Sequence, residues 1–439
     1  MLLTGCIVGK AAGLRVAVRR VVLPASLAVA VVAASAAPGT PPARWWKGNL
    51  HTHTLWSDGD DFPEMVTEWY KTNGYHFLAI SDHNTLLQGE KWITIDARPD
   101  RQWAFQRYLQ RLGPHWVEQR FLNHTQQVRL KRLSEFRRLY EEPDRFLLIP
   151  SQEITDRHQL LPIHVNASNS RETIKPQSGA SVVDVMQRNV DAVLAQRRRT
   201  GQPMFPHINH PNFGYAITAE DLMMVRGERF FEVYNGHHQV NNAGDAHHVS
   251  IDRMWDIVLA FRLTRFKLGP MYGLATDDSH NYRVFSPTNS NSGRGWVMVR
   301  APRLTPESII QALEAGDFYA STGVRLKDLR RDTNEIVLVI DAEPGVRYVT
   351  QFLGTLEGFD PTSQPGSRPP GTVHPVTRRY SADIGRVLAQ VEGPVASYKL
   401  VGDEIYVRAT VLSSKRKANG VMPNEHETAW VQPVVRRGE

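Results

Sequence analysis

Cysteine is nearly absent from this 439-residue chain, which has only Cys6. Without a second thiol there is no internal disulfide, so the fold must be held by its core. Any metal must be bound by His and carboxylate, a donor set that suits Mn, Fe or Zn. A large charge excess is also missing. The formal net charge of +7 hints at an acidic partner. Yet Lys10, Arg15, Arg19 and Arg20 lie within residues 1–37, which carry no Asp or Glu. Beyond that segment 48 basic residues face 45 acidic ones, so charge gives nucleic-acid binding little support.

Residues 1–37 read as an export signal. Arg15, Arg19 and Arg20 form a positive region, Val21 to Ala34 is apolar, and Ala34-Ser35-Ala36 matches a small-x-small cleavage pattern. The apolar run is shorter than the ~20 residues of a spanning helix. The expectation is an exported protein, periplasmic or secreted, with no stable membrane span after cleavage.

Seven short apolar runs end in polar, ligand-type residues: 45–50, 76–81, 146–150, 161–166, 204–208, 230–235 and 272–276. Helical patterns lie between most of them. One starts at Pro63 and stops before Gly74; others cover 182–199 and 251–263. Strands alternating with helices indicate a parallel sheet. The expected fold is α/β: a distorted seven-unit β/α barrel over 38–326, then a small antiparallel β-sandwich over 327–439. Residues 96–145 read as an insertion, with a basic amphipathic helix from Val128 to Tyr140. Strands are expected at 336–340, 346–352, 385–391, 396–401 and 404–411, with a Pro, Gly and Ser-rich loop over 357–376.

The ligand-type residues sit where barrel strands meet their following loops, the usual place for an active site. His51 and His53 are one residue apart at a strand end and so share a face. Asp58 follows in a turn. Asp82 and His83 close the next strand; two ionisable residues at a buried strand end call for a partner or a metal. His83 is the expected ligand, and Asp82 a neighbouring or substrate-contacting group. Glu153 can bridge two cations, which an imidazole does not do. His164 closes the next strand. His207 and His210 face opposite ways on an extended chain, and His210 is favoured as the ligand. Asp278 and His280 repeat the spacing of His51 and His53. The paired histidines 237–238 and 247–248 read as surface residues.

His51-Thr52-His53-Thr54, Ser57-Asp58-Gly59, Ser81-Asp82-His83-Asn84, Glu153-Ile154-Thr155, His164, His210-Pro211 and Asp278-Ser279-His280 together resemble the PHP (polymerase and histidinol phosphatase) family of metal-dependent phosphoesterases. The similarity covers about residues 45–325. Trp296-Val297 and Gly316-Asp317-Phe318-Tyr319-Ala320-Ser321-Thr322-Gly323 resemble an exported branch related to carbaryl hydrolase. The resemblance implies two or three divalent cations. His51, His53, Glu153 and Asp278 would hold the first; Glu153, His164 and His210 the second; Asp58, His83 and His280 the third. One departure is Ser151-Gln152-Glu153, where the family pattern has Gly-Glu-Glu.

The expected activity is hydrolysis of a small phosphate ester by a hydroxide bridging two metals. Metals acidify the water and neutralise charge on the attacked group. Asp82, His207 or His280 could handle the leaving-group proton. The competing readings are a carboxyl ester or carbamate hydrolase with the same centre, an amidohydrolase, and a non-catalytic, metal-stabilised binding protein.

Overall fold

A computed structural model describes residues 41–368 and 370–436. The expected export signal and Cys6 lie outside them. Among the described residues no helix is long and apolar enough to cross a membrane.

The chain opens with β1 (Arg44–Asn49), α1 (Pro63–Thr72) and β2 (Phe77–Ile80). The insertion follows as β3 (Lys91–Thr94), α2 (Pro99–Leu112), β4 (Gln119–Leu122), β5 (Thr125–Leu130) and α3 (Leu133–Tyr140). Next come β6 (Leu147–His158), β7 (Leu161–Ser168), α4 (Val182–Thr200), β8 (Phe205–Ile208), α5 (Ala219–Leu222), β9 (Phe230–Asn235), α6 (Ile251–Thr264) and β10 (Tyr272–Thr276). Then β11 (Trp296–Ala301), α7 (Pro306–Glu314) and β12 (Phe318–Ser321) lead into the C-terminal strands. These are β13 (Leu326–Arg331), β14 (Glu335–Ile340), β15 (Tyr348–Leu356), β16 (Ser363–Gln364), β17 (Arg379–Tyr380), β18 (Arg386–Glu392), β19 (Val395–Lys399), β20 (Glu404–Arg416) and β21 (His426–Val435).

The expected helices form where their boundary residues dictate. Pro63 opens α1, where its missing N–H costs nothing. The Ser181, Ser250 and Thr305 side chains cap α4, α6 and α7 by accepting the N–H three residues on. Gly201, at φ 67°, ends α4 in the left-handed conformation that glycine adopts without strain.

One sheet of 13 strands runs through the molecule in the order β10-β9-β8-β7-β6-β2-β1-β11-β12-β21-β20-β15-β18. The seven expected strands supply β1, β2 and β6–β10. They do not form a uniform series of β/α units. β6 and β7 are a direct antiparallel hairpin with no helix between them, and β8 also runs antiparallel to β7. No closed sheet is present among the described residues, since β10 ends the ladder. One parallel bridge, Thr52 to Ser279, links the chain just beyond β1 to the chain just beyond β10.

The expected helix from Val128 to Tyr140 is two elements. Val128 and Leu130 alternate on β5, while Leu133, Phe136 and Tyr140 have helical spacing on α3. Arg129 would be expelled from a helix's apolar face. On the strand it pairs with Glu118 and Glu135, both at 2.6 Å. The insertion packs beside α1, where Tyr108 stacks on Phe62 at 4.0 Å and donates to Glu64 at 2.7 Å.

Five expected C-terminal strands appear as β14, β15 and β18–β20; β13, β21 and the two-residue strands β16 and β17 were not anticipated, β16 lying within the expected loop. A small sheet, β13-β14-β19, faces the strands β15, β20 and β21 over a shared core of Leu329, Ile336, Leu338, Phe352, Val407 and Val411. The second layer of this sandwich is not separate, because β21 pairs with β12 and so extends the main sheet.

Arg408 on β20 anchors this region to α6. It is fully buried and reaches Asp256 at 2.6 Å and Asp252 at 3.1 Å. Removing one partner of a buried pair strands the other's charge. Arg408→Ala should therefore destabilise the protein by about 3–5 kcal/mol in denaturant titrations. A loss below about 1 kcal/mol would show that the pair is dispensable.

Candidate metal centre

The parallel ladder continues past the ends of its strands, and that extension builds the site. Thr52 accepts from the Ser81 N–H at 2.8 Å, and Ser81 accepts from the Glu153 N–H at 3.0 Å. On the other side His51 accepts from the Asp278 N–H, and His53 donates its own N–H to Ser279, both at 3.0 Å. The period-two alternation then points His51, His53, Glu153 and Asp278 to one face. His210 (φ 23°) and Asp278 (φ 48°) have positive φ. Such strain in a histidine persists only where the surroundings enforce it.

Glu153 is the hub. Its Oε1 lies 2.9 Å from His164 Nδ1 and 3.4 Å from both His51 Nε2 and His210 Nε2. Its Oε2 lies 2.7 Å from His83 Nδ1 and 3.4 Å from His53 Nε2. Asp278 Oδ1 is 3.3 Å from His51 Nε2 and 3.1 Å from His53 Nε2. Asp58 spans His280 Nε2 and His83 Nε2, each at 3.4 Å. All nine sequence-identified ligand candidates thus converge. Their donor atoms fall into compact sets: His53, Asp58, His83 and His280; His51, His53 and Asp278; His83, Glu153 and His164. His210 stands outside these sets but is held within 3.4 Å of Glu153.

The arrangement fits divalent cations. Ligands at about 2.1 Å from one ion lie roughly 3–3.4 Å from each other. The gaps of 3.1–3.4 Å have that spacing. His51 Nε2, His53 Nε2 and Glu153 Oε2 are buried and make no hydrogen bond among the described residues. Orphaned polar atoms of this kind are costly unless a ligand meets them.

Electrostatics point the same way. The ion-pair partners of Glu153, Asp278 and Asp58 are all imidazoles. Burial opposes charge throughout; facing charges outweigh it at His51, His83 and Glu153 but not at His53. Asp278, Glu153 and Glu232 lift the His51 pKa well above its ordinary value; Glu153 and Asp58 lift that of His83 to about 11. Burial together with His280 and His83 drops His53 to about 3. Burial is outweighed at Glu153, which His83, His51 and His164 hold well below the usual carboxylate range. The raised histidines retain protons that cations must displace. Metal uptake should therefore release protons, and affinity should fall as pH falls. Calorimetric titration in two buffers of different ionisation enthalpy measures this. A proton count of zero near pH 7 would contradict it.

One residue of the site was not anticipated from the sequence. Glu232, in the middle of the apolar strand β9, accepts from His51 Nδ1 at 2.7 Å and Thr276 Oγ1 at 2.8 Å. It also accepts the His210 backbone N–H at 2.8 Å. This fixes the His51 proton on Nδ1 and leaves Nε2 facing Glu153 and Asp278. A lone carboxylate in a strand of Phe, Val and Tyr was the available signal. Glu232→Gln should lower metal affinity about 10–100-fold while the protein stays folded, as read by competition with a chelating dye. Unchanged affinity would remove Glu232 from the site.

Of the residues assigned to the leaving-group proton, only His280 faces the opening, with its side chain 15% exposed. Asp82 is fully buried, and burial raises its pKa to about 6. It accepts from the Thr54 N–H and hydroxyl, both at 2.8 Å, and from Ser57 at 2.6 Å. It thus fastens the turn that carries Asp58. His207 is fully buried, 3.4 Å from Glu232, with both ring nitrogens lacking a hydrogen bond among the described residues. Of the histidines read as surface residues, His237 is half-buried against His280, with centroids 5.3 Å apart. His248 is buried, stacked on Tyr215 at 3.6 Å and held by Asp245 at 2.9 Å.

No family model matches the sequence, and no curated protein matches it. Among solved structures, the chain is similar to a two-domain protein from Bacteroides vulgatus in which a PHP-like metal-dependent phosphoesterase is predicted. That similarity has 14% identity and a TM-score of 0.38, covering 90% of this chain and 97% of the other. A second similarity is to a protein from Bifidobacterium adolescentis described as a presumed metal-dependent phosphoesterase. It has 15% identity and a TM-score of 0.28, covering 55% of this chain and 89% of the other. The functional reading accordingly rests on the geometry of the site.

Proposed function

We propose that this protein is an exported phosphoesterase that cleaves small phosphate esters with two or three divalent cations, Mn, Zn or Fe. The observation that carries the reading is the convergence of nine His, Asp and Glu side chains, six imidazoles, His280 among them, gathered around the carboxylates of Glu153, Asp278 and Asp58 at metal-ligand spacing. The ligand sets are those the PHP resemblance implies. In that arrangement Glu153 would help hold two cations, one with His51, His53 and Asp278, the other with His164 and His210. Asp58, His83 and His280 would hold a third. The Thr52–Ser279 bridge supports reading the surrounding strands as a distorted barrel.

Bound there, divalent cations supply an acidified water and neutralise charge on the attacked group. The chain's own residues do the rest. Glu232 and the Asp278 carbonyl orient His51 and His280 through their Nδ1 atoms. Asp82 holds the Asp58 turn closed. His280, at the opening, is placed to handle the proton of the leaving group.

A second reading keeps the centre but takes a carboxyl ester or carbamate. It is favoured by Phe213, an apolar ring 5.1 Å from His210 and 6.3 Å from His164. The test compares p-nitrophenyl phosphates and carboxylates with protein reconstituted in Mn or Zn, beside Glu153→Ala. Faster, metal-dependent release from phosphates, lost with metal retention in Glu153→Ala, is the expected outcome. Faster release from carboxylates would select the second reading. Bound metal with no turnover of either would overturn both in favour of a metal-stabilised binding protein.

A further inference from the structure

The loops after β8 and β9 meet over the metal centre. Phe213 and Val240 form an antiparallel bridge between them. This brings His237 and Phe213 together with centroids 5.5 Å apart, next to His280 and His210 respectively.

His237 differs from the histidines below it. It makes no ion pair with Asp58, Glu153, Glu232 or Asp278, whereas His51, His53, His83, His164, His207, His210 and His280 all do. Its place is fixed by the backbone instead. Its own N–H donates to Asn235 Oδ1 at 2.8 Å, and its Nδ1 accepts the Gln239 N–H at 3.2 Å. A neutral imidazole whose Nδ1 accepts must carry its proton on Nε2. That N–H has no partner among the described residues, and the ring is half-buried at the edge of the candidate metal ligands. A donor immobilised in this way beside a cation site is suited to an anionic oxygen. Phe213, also half-buried and without a polar group, offers the adjoining surface to something apolar.

Resting on the phosphoesterase reading, we infer that His237 is a substrate-contacting residue: its Nε2–H donates to a phosphoryl oxygen, while Phe213 packs against the ester's organic group. The substrate class is thereby narrowed to phosphate esters of an apolar or aromatic alcohol.

Inorganic phosphate is the probe, titrated calorimetrically into Mn-loaded wild type, His237→Phe, His237→Gln and Phe213→Ala, with metal content and melting measured for each. Wild-type metal content with phosphate affinity about 10-fold weaker in His237→Phe is expected, with partial recovery in His237→Gln, whose amide supplies an N–H. Phe213→Ala should bind phosphate normally but raise KM for phenyl phosphate several-fold more than for methyl phosphate. Equal phosphate affinity in wild type and His237→Phe would overturn the assignment of His237 and leave the phosphoesterase reading standing. Loss of metal from His237→Phe would overturn it by making His237 a ligand-positioning residue. Failure of the metal-loaded wild type to bind phosphate would overturn the phosphoesterase reading itself, and this inference with it.

Discussion

A single carboxylate, Glu153, faces five imidazoles inside the protein, and the rest of the structure is arranged around that crowding. Its oxygens lie 2.7–3.4 Å from His51, His53, His83, His164 and His210. Unassisted, such a cluster is costly to bury. Charged imidazoles repel one another, neutral ones leave lone pairs unmet, and the carboxylate needs compensation. The opposite pKa directions of His51 and His53, two residues apart, express that conflict. Divalent cations bound there would resolve it by placing positive charge between the donors without adding protons.

Holding the donors in place requires a stiff surround. Asp277 shows how it is made. Its carboxylate accepts the backbone N–H groups of Gly293, Arg294 and Gly295 at 2.6–2.8 Å, and the Tyr70 hydroxyl at 2.7 Å. The residue that precedes the candidate ligand Asp278 is thereby locked to α1 and to the loop before β11. Arg294 extends the lock. Buried completely, it donates to the carbonyls of Gly236, Ser286 and Asn289, and so fixes the start of the loop that carries His237. These groups belong to the metal centre without touching it, as supporting residues of metal sites commonly do.

How much of this was legible in the sequence depended on whether the signal was local. His51 and His53, Asp278 and His280, and Asp82 after an apolar strand are patterns of a few residues whose meaning follows from strand alternation. The strands, the proline-started helix α1 and the capped helices α4 and α6 were readable for the same reason. Glu232 was not, because its role depends on His51, 181 positions away. The β6–β7 hairpin escaped notice because its tip, Gln159-Leu160, has neither Gly nor Pro to mark a turn; Gln159 takes φ 56° instead. Val128 to Leu130 and Leu133 to Tyr140 merged into one apparent helix because a period-two and a helical pattern abut without a break. His237 and His248 read as surface residues because paired histidines in a loop usually are. Only the packing of that loop over the site shows otherwise.

The same distinction explains why the C-terminal strands matter to the site although they hold none of its donors. The hairpin joining β20 to β21 reaches back to the loops around the metal centre. Asn419 accepts from Arg294 Nε at 2.9 Å and donates to the Ser292 carbonyl at 2.8 Å. Lys417, its side chain almost fully buried, reaches the Tyr234 hydroxyl and Glu425. Tyr234 lies two residues from Glu232, on the strand that orients His51. A path of direct contacts therefore runs from the C-terminal hairpin through Tyr234 and Arg294 to the loops bearing Asp278 and His237. Burying a Lys and an Arg there is unfavourable unless each keeps its partners. This ties the position of the hairpin to that of the loops. In physical terms the hairpin between β20 and β21 is part of the candidate metal centre's scaffold, and β21 is joined to the main sheet by its pairing with β12.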